Sequence, residues 1–346
     1  MSLASNLLSV LQQNSNSQNE ILERRLLEMI VLEQKNFVFT NLGRKDTISM
    51  NQGTVTKKYR RYNHLPVSNH KLTEGVPPTA LKVEAQTVTA AVNQFGAYLD
   101  VTDVGDEVHL DDILNVYQPE LARHAAEVKE RDVIAGLTDT SEYYVDAAGA
   151  ANTAKTQLTT ADVLTLKDCR VVALTMKNQR RLGHRATGGK FLFVVHTNTM
   201  ADLLDDVDLA EKILATGMEN SPIKNGSLDN YKMYGFVVQE TLIAPVESVN
   251  IGTVEIPSML NVYTTFALGR DPYVVLSMGG VKWIRKGFTA DSGDPLAQIA
   301  SLGYKFWSGV KVLDPFAITK IYHVSAYDMA FPDFTDDDLA RAASQV

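Results

Sequence analysis

One apolar stripe constrains the fold more than any other feature: Ile113, Tyr117, Leu121, Ala125 and Val128 recur at spacings of four, four, four and three. That interval predicts a long helix burying a single face. Asp111 and Asp112 stand at its expected start, beside the positive end of the helix dipole. Glu127 and Arg131 lie four apart and support the helix, as do Glu120 and His124 when the histidine is charged. Pro119 falls inside the pattern and is expected to kink or restart the helix. A chain of 346 residues exceeds what one core normally holds, so this helix is expected to serve one of several subdomains.

Upstream, the pattern becomes that of strands. Between Thr54 and Val104, Val55 and Tyr59, then Leu81, Val83 and Ala85, alternate with polar residues around a turn containing Gly75, Pro77 and Pro78. This predicts a long hairpin. Its first leg carries a basic run interleaved with aromatics, Lys57-Lys58-Tyr59-Arg60-Arg61-Tyr62. Cations contact phosphates and tyrosines stack on bases, but a short cluster in an acidic chain says little about nucleic acid. Charges that guard an edge strand against sheet addition explain it too. Nearer the start, Leu22, Leu26, Met29 and Ile30 follow a Ser/Asn/Gln-rich stretch at the spacing of one helical face. Such an arm needs a partner surface, either the chain's own core or a neighbouring subunit.

Downstream, the small residues from Asp146 to Asn152 read as a boundary. A second helix is expected from about Thr160 to Leu182, with Thr160 as its cap, Lys177, Arg180 and Arg181 near its end, and Gly183 closing it. Phe191 to Val195 reads as a buried strand, Thr199 to Leu204 as a short helix, Phe236 to Val238 as a further interior strand. The final strand, Ile318 to His323, is expected in the sheet beside the long helix. Asp336-Asp337-Asp338 reads as solvated tail.

Hydrophobic residues at 45% and charged residues at 21% place the chain among folded globular proteins. Lys and Arg total 33 against 41 Asp and Glu, a net charge of -8, which is the wrong sign for a typical sequence-specific nucleic-acid binder. The single cysteine, Cys169, excludes an intrachain disulfide framework and reads as a small buried residue. The start lacks a basic residue before its first apolar stretch, and no apolar run approaches a membrane span, so neither secretion nor membrane insertion is expected. Gly183 to Lys190 fails as a phosphate loop: Gly189 precedes Lys190, Phe191 replaces the hydroxyl residue, and a strand pattern follows. The seven histidines are scattered, and no HExxH or CxxC occurs. His64 and His70 flank a proline-containing loop without further ligands, and Asp205-Asp206-Val207-Asp208 lacks the glycine and terminal glutamate of a calcium loop. No Gly-x-Ser-x-Gly elbow is present. No catalytic, cofactor-binding or metal-ligating residue is assigned.

Several phrases occur in order along most of the chain. They are Arg61-Tyr62-Asn63-His64-Leu65-Pro66, Lys71-Leu72-Thr73-Glu74-Gly75-Val76-Pro77-Pro78, Gln94-Phe95-Gly96-Ala97-Tyr98-Leu99, Val101-Thr102-Asp103, Asp294-Pro295-Leu296-Ala297-Gln298, Gly303-Tyr304-Lys305-Phe306-Trp307 and Ile318-Thr319-Lys320-Ile321-Tyr322-His323. Together they resemble the major capsid proteins of tailed phages. The resemblance implies an α+β chain with the tailed-phage capsid fold: an N-terminal arm (1–50), an extended β-hairpin loop (51–105), a peripheral domain with a long spine helix (106–150 and 285–330), an axial α/β domain (151–284) and a C-terminal tail (331–346). It implies no enzyme. The subunit would assemble with itself into pentamers and hexamers of an icosahedral shell around double-stranded DNA, for which an acidic wall is suitable. It would be made in the host cytoplasm and would meet portal and scaffolding or decoration proteins. Intersubunit contacts are expected at Arg60, Arg61 and Glu74 on the hairpin and at Leu22, Leu26 and Ile30 in the arm. Two alternatives are a protein nanocompartment shell of the same fold, which would hold a protein cargo, and a soluble α/β enzyme without a recognisable motif.

Overall fold

The computed structural model describes residues 37–50, 53–62, 65, 72, 74–75, 80–108, 113–138, 140–147, 152–179, 190–206, 232–233, 236–250, 259–290 and 293–327. They form two compact units: residues 1–137 with 273–313, and residues 138–272 with 314–346. Both units are thus built from two separate stretches of chain.

The first unit is organised by one long strand, β13 (Ile299–Val312). Along one edge it pairs antiparallel with β4 (Asn93–Thr102); along the other it pairs with β12 (Lys282–Lys286) and then β11 (Tyr273–Ser277), which carries β1 (Arg44–Thr47) parallel to it. Alternation turns Leu302, Tyr304 and Phe306 to one face, where they pack on Leu121, Ala122 and Ala125 of the spine helix α3 (Ile113–Gly136). Each such side chain contributes roughly 1.5–3 kcal/mol on burial. Phe95 stacks on Phe306 at 5.6 Å between centroids, and the Tyr304 hydroxyl lies 2.8 Å from Nδ1 of His124. Tyr117 and Val128 are half-buried, so the stripe falls where its period predicts, while the side chain of Ile113 lies outside the described residues. The helix runs unbroken through Pro119 instead of restarting there. Proline removes one backbone donor, and the packing of Leu121, Ala122 and Ala125 on the sheet holds the turns that follow it.

Near the end of the described arm, the chain forms the short helix α1 (Phe39–Leu42). Glu130 of α3 is buried against it. Its Oε1 accepts from the Phe39 N–H at 2.6 Å, and its Oε2 accepts from the Thr40 N–H at 2.8 Å and from the Thr40 hydroxyl. A carboxylate at a helix N-terminus meets both orphan donors and the dipole. Tyr273 completes the clamp by donating to the Phe39 carbonyl at 2.6 Å.

The second unit is a seven-stranded sheet. β5 (Ser141–Tyr144) lies parallel to β14 (Ile318–His323), which is antiparallel to β10 (Met259–Leu268). β10 pairs with β9 (Val246–Asn250) along its first half and with β6 (Phe191–His196) along its second. β6 lies parallel to β8 (Phe236–Thr241), and β7 (Lys232–Met233) closes the edge. Parallel strands need a crossover, and helix α5 (Thr197–Leu204) leads the chain out of β6. Phe193, Val195 and Phe236 pack with Met200 and Leu203 of α5 and with Cys169, Val172 and Met176 of α4 (Leu166–Gln179).

Helix α4 starts six residues after the expected Thr160. Asp162 explains this: it accepts from the N–H groups of Thr159 and Ala147, both at 2.8 Å, and from the Asn152 amide at 3.3 Å, which ties residues 159–162 into a turn. The helix is capped by Thr165, whose hydroxyl accepts from the Asp168 N–H at 3.3 Å while Asp168 accepts from the Thr165 N–H at 3.2 Å. The expected end of this helix, from Arg180 to Gly183, lies outside the described residues, as does the Gly188-Gly189 turn. Ile318–His323 was expected beside the spine helix; it lies instead between β5 and β10. Five of its six residues are buried, which requires a sheet covered on both faces.

Two stability predictions follow from buried polar groups. Glu130→Ala leaves the Phe39 and Thr40 N–H groups unpaired and should cost roughly 2–4 kcal/mol, measured by urea denaturation. In the second unit, His323 is fully buried, with Nε2 3.0 Å from the Thr265 hydroxyl and Nδ1 3.3 Å from the Val324 carbonyl. Burial holds its imidazole down at about 4, from an ordinary 6.5. The unfolded chain therefore takes the proton first, so stability is complete above pH 6.5 and is lost as pH falls toward 4. Denaturation midpoints across that window should decline in the native protein, and His323→Asn should flatten the slope.

Candidate assembly surface

The hairpin predicted between Thr54 and Val104 is a separate two-stranded ribbon. β2 (Thr56–Tyr62) pairs antiparallel with β3 (Ala85–Ala91), from Thr56 opposite Ala91 to Tyr62 opposite Ala85. The expected return leg through Leu81 and Val83 is not strand; both residues are exposed before β3 begins at Ala85. Gly75 stands at the far end with φ +76, a left-handed conformation that suits glycine, and exposed Glu74 precedes it.

The root of the ribbon is held by β1. Its residues alternate, so Lys57, Tyr59 and Arg61 share one half-buried face while Lys58, Arg60 and Tyr62 project from the other. Asp46 of β1 takes both root partners: Lys57 Nζ donates to Oδ1 at 2.6 Å and the Tyr59 hydroxyl donates to Oδ2 at 2.8 Å. The hydrogen bond from Lys57 holds the Asp46 carboxyl below its usual range, and burial with the bond to Asp46 pushes the Tyr59 phenol well up. Arg44 lies over the Tyr59 ring at 6.0 Å. Beneath, Ala90 and Val92 join Val274, Leu276 and Ile48 in a core that includes Trp307. Gly309 on β13 has no room for a Cβ because the Ala91 carbonyl occupies that space. Outward from the root, described apolar residues are exposed: Tyr62 is 62% exposed at the end of β2 and Leu72 is 75% exposed in the loop beyond. Exposed apolar residues grouped on one loop mark an interaction surface.

The residues expected to make intersubunit contacts are distributed accordingly. Arg61 donates to the Gln86 side chain at 2.7 Å, Arg60 is exposed on the opposite face, and Glu74 stands at the turn. Leu22, Leu26 and Ile30 lie outside the described residues, as do His64, His70 and Asp336 to Asp338. Asp46 and Glu130 are the anchors that sequence reading missed. Their partners are 11 and 13 residues away for Asp46 and 90 and 91 for Glu130, spacings that no local pattern encodes.

Cys169 is fully buried, and burial pushes its thiol far above the usual range, which suppresses the nucleophilic thiolate. Asp205 accepts from the Tyr327 hydroxyl and Asp206 from the Leu166 N–H at the start of α4, so both carboxylates tie distant parts of the second unit together. Among the described residues, no three His, Cys, Asp or Glu side chains gather as metal ligands, and no helix is long and apolar enough to cross a membrane.

A family model described as phage capsid protein matches residues 85–321, which include the return leg of the ribbon, the spine helix and both sheets' long strands. The chain belongs to the phage capsid protein family. Solved capsids share the fold of this capsid protein at low sequence identity. The capsid structure of the cyanophage P-SCSP1u has 14% identity and a TM-score of 0.59, covering 84% of this chain and 89% of that one. The acid-stable capsid of Helicobacter pylori bacteriophage KHP30 has 12% identity and a TM-score of 0.62, covering 83% and 91%. The capsid of Ralstonia phage GP4 has 14% identity and a TM-score of 0.57, covering 82% and 87%. No curated protein matches the chain.

Removing the root anchor should loosen the ribbon alone. In Asp46→Ala, amide hydrogen exchange should accelerate in β2 and β3 while α3 and the second unit keep their protection.

Proposed function

We infer that this chain is a tailed-phage major capsid protein that assembles into pentamers and hexamers of an icosahedral shell enclosing double-stranded DNA. It is a structural protein of the virion. The observation that carries the reading is the ribbon of β2 and β3: on a chain of the capsid family, it is rooted at Asp46, carries exposed Arg60 and Tyr62 at its outer end, and leads to exposed Leu72, Leu81 and Val83 in the loop beyond. A second copy supplies that cover by burial and by strand pairing, and many modest contacts close a symmetric lattice.

In this reading residues 106–150 with 285–330 are the peripheral domain, residues 151–284 the axial domain, residues 1–50 the arm, residues 51–105 the extended loop and residues 331–346 the tail. Arg60, Arg61 and Glu74 make charged contacts with the neighbouring subunit, and Leu22, Leu26 and Ile30 dock the arm. Synthesis in the host cytoplasm, a portal, scaffolding or decoration proteins, and packaged DNA are the expected setting. The net charge of -8 keeps the wall from gripping phosphate.

The test reverses charge at the loop. Arg60→Glu with Arg61→Glu should leave the circular dichroism spectrum and unfolding midpoint of the monomer nearly unchanged and abolish shells in electron microscopy and light scattering. Normal shells from that double variant would remove the loop's assigned role. The contents of native particles, nucleic acid rather than protein cargo, separate a phage capsid from a nanocompartment.

A further inference from the structure

The sheet of the first unit has one face packed on α3 and a second face that described residues cover only in part. On the second face, Trp307 is covered with Val274 and Leu276 by the ribbon root. Two residues back along β13, that cover ends at Lys305, which is exposed. The pairing aligns Tyr98, Gly303 and Ile284 in one row across β4, β13 and β12. Gly96, Lys305 and Lys282 form the next row on one side, and Asp100, Ser301 and Lys286 the row on the other. Tyr98 is 70% exposed and Ile284 50% exposed, with a glycine between them. The result is a shallow floor with an aromatic and an aliphatic flank, with two cations at the Lys282 and Lys305 end and the opposite charges of Asp100 and Lys286 at the other.

An apolar patch beside two lysines fits a ligand that is both apolar and acidic. The chain itself contains such a segment. Phe331-Pro332-Asp333-Phe334-Thr335-Asp336-Asp337-Asp338-Leu339 includes the one run of three consecutive aspartates in the sequence, together with two phenylalanines and a leucine. Phe331 and Phe334 are spaced three apart, as are Asp333 and Asp336, so apolar and acidic side chains recur at one interval. We propose that residues 331–339 of a copy of this chain dock on the face of β4, β13 and β12 opposite α3. The phenylalanines lie against Tyr98 and Ile284, and the aspartates lie toward Lys282 and Lys305, away from Asp100. Duplex DNA is the competing polyanion, but it brings no apolar side chain to Tyr98 or Ile284. The inference rests on the capsid reading only in that copies come together.

Zero-length carbodiimide coupling of assembled full-length protein tests it, because it joins carboxylates to amines in direct contact. The Lys155–Glu247 ion pair is the internal control. Links from Asp333 or Asp336 to Asp338 onto Lys282 and Lys305 are expected, and Phe331→Ala with Phe334→Ala should reduce them by at least about five-fold. Control links without tail links, or tail links only to other lysines, overturn the proposal. Lys282 and Lys305 that resist acetylation until DNA is released assign the face to the duplex and overturn it as well. If the chain stays monomeric, coupling with an added peptide of residues 328–346 reads the contact directly. Failure to assemble thus counts against the capsid reading, and missing links in sound particles count against this inference alone.

Discussion

Strand β13 must satisfy hydrogen bonds along both edges over fourteen residues, and the first unit is arranged around that demand. β4 takes one edge for ten of those residues, and β12 and β11 divide the other. Since side chains alternate, the same strand also offers Leu302, Tyr304 and Phe306 to the spine helix and Trp307 to the ribbon root. A shift of register by one residue would exchange these faces. Helix, sheet and ribbon root are therefore fixed together by one set of backbone pairings.

The second unit answers a different demand. β6, β10 and β14 are buried along most of their length, so apolar cover is needed on both faces. Helices α4 and α5 contribute to the cluster around Phe193 and Phe236, while Leu158, Leu260, Val262 and Tyr322 form a second cluster. Such a sheet tolerates wide sequence change as long as volume and pattern persist, which accords with a shared fold at 12–14% identity.

What could be read from the sequence was what repeats. The stripe from Tyr117 to Val128 follows the helical period, and the run at Phe191 is a buried strand by composition, so both emerged. The hairpin emerged from its alternation and from Gly75. The start of α4 did not, because Thr160 and Thr165 are equally good caps in isolation and only the contacts of Asp162 with Ala147 and Asn152 decide between them. The placement of β14 was missed for the same reason: an apolar strand does not state which sheet will bury it. Asp46 and Glu130 belong to the same class, since each acts on partners brought close only by the finished fold. Alternation located Arg60 and Arg61 on the hairpin's first leg, with Glu74 beside the turn at Gly75, but their surroundings came from pairing and not from local pattern.

The ribbon's firm root and unsupported length make it a lever. A seven-residue strand spans about 23 Å, so a rotation of about 10° at the root carries the outer end through roughly 4 Å. With Gly309 giving the root no slack beneath Ala91, a push on the outer end is taken up by bending of β2 and β3 and not by sliding of the root over β13.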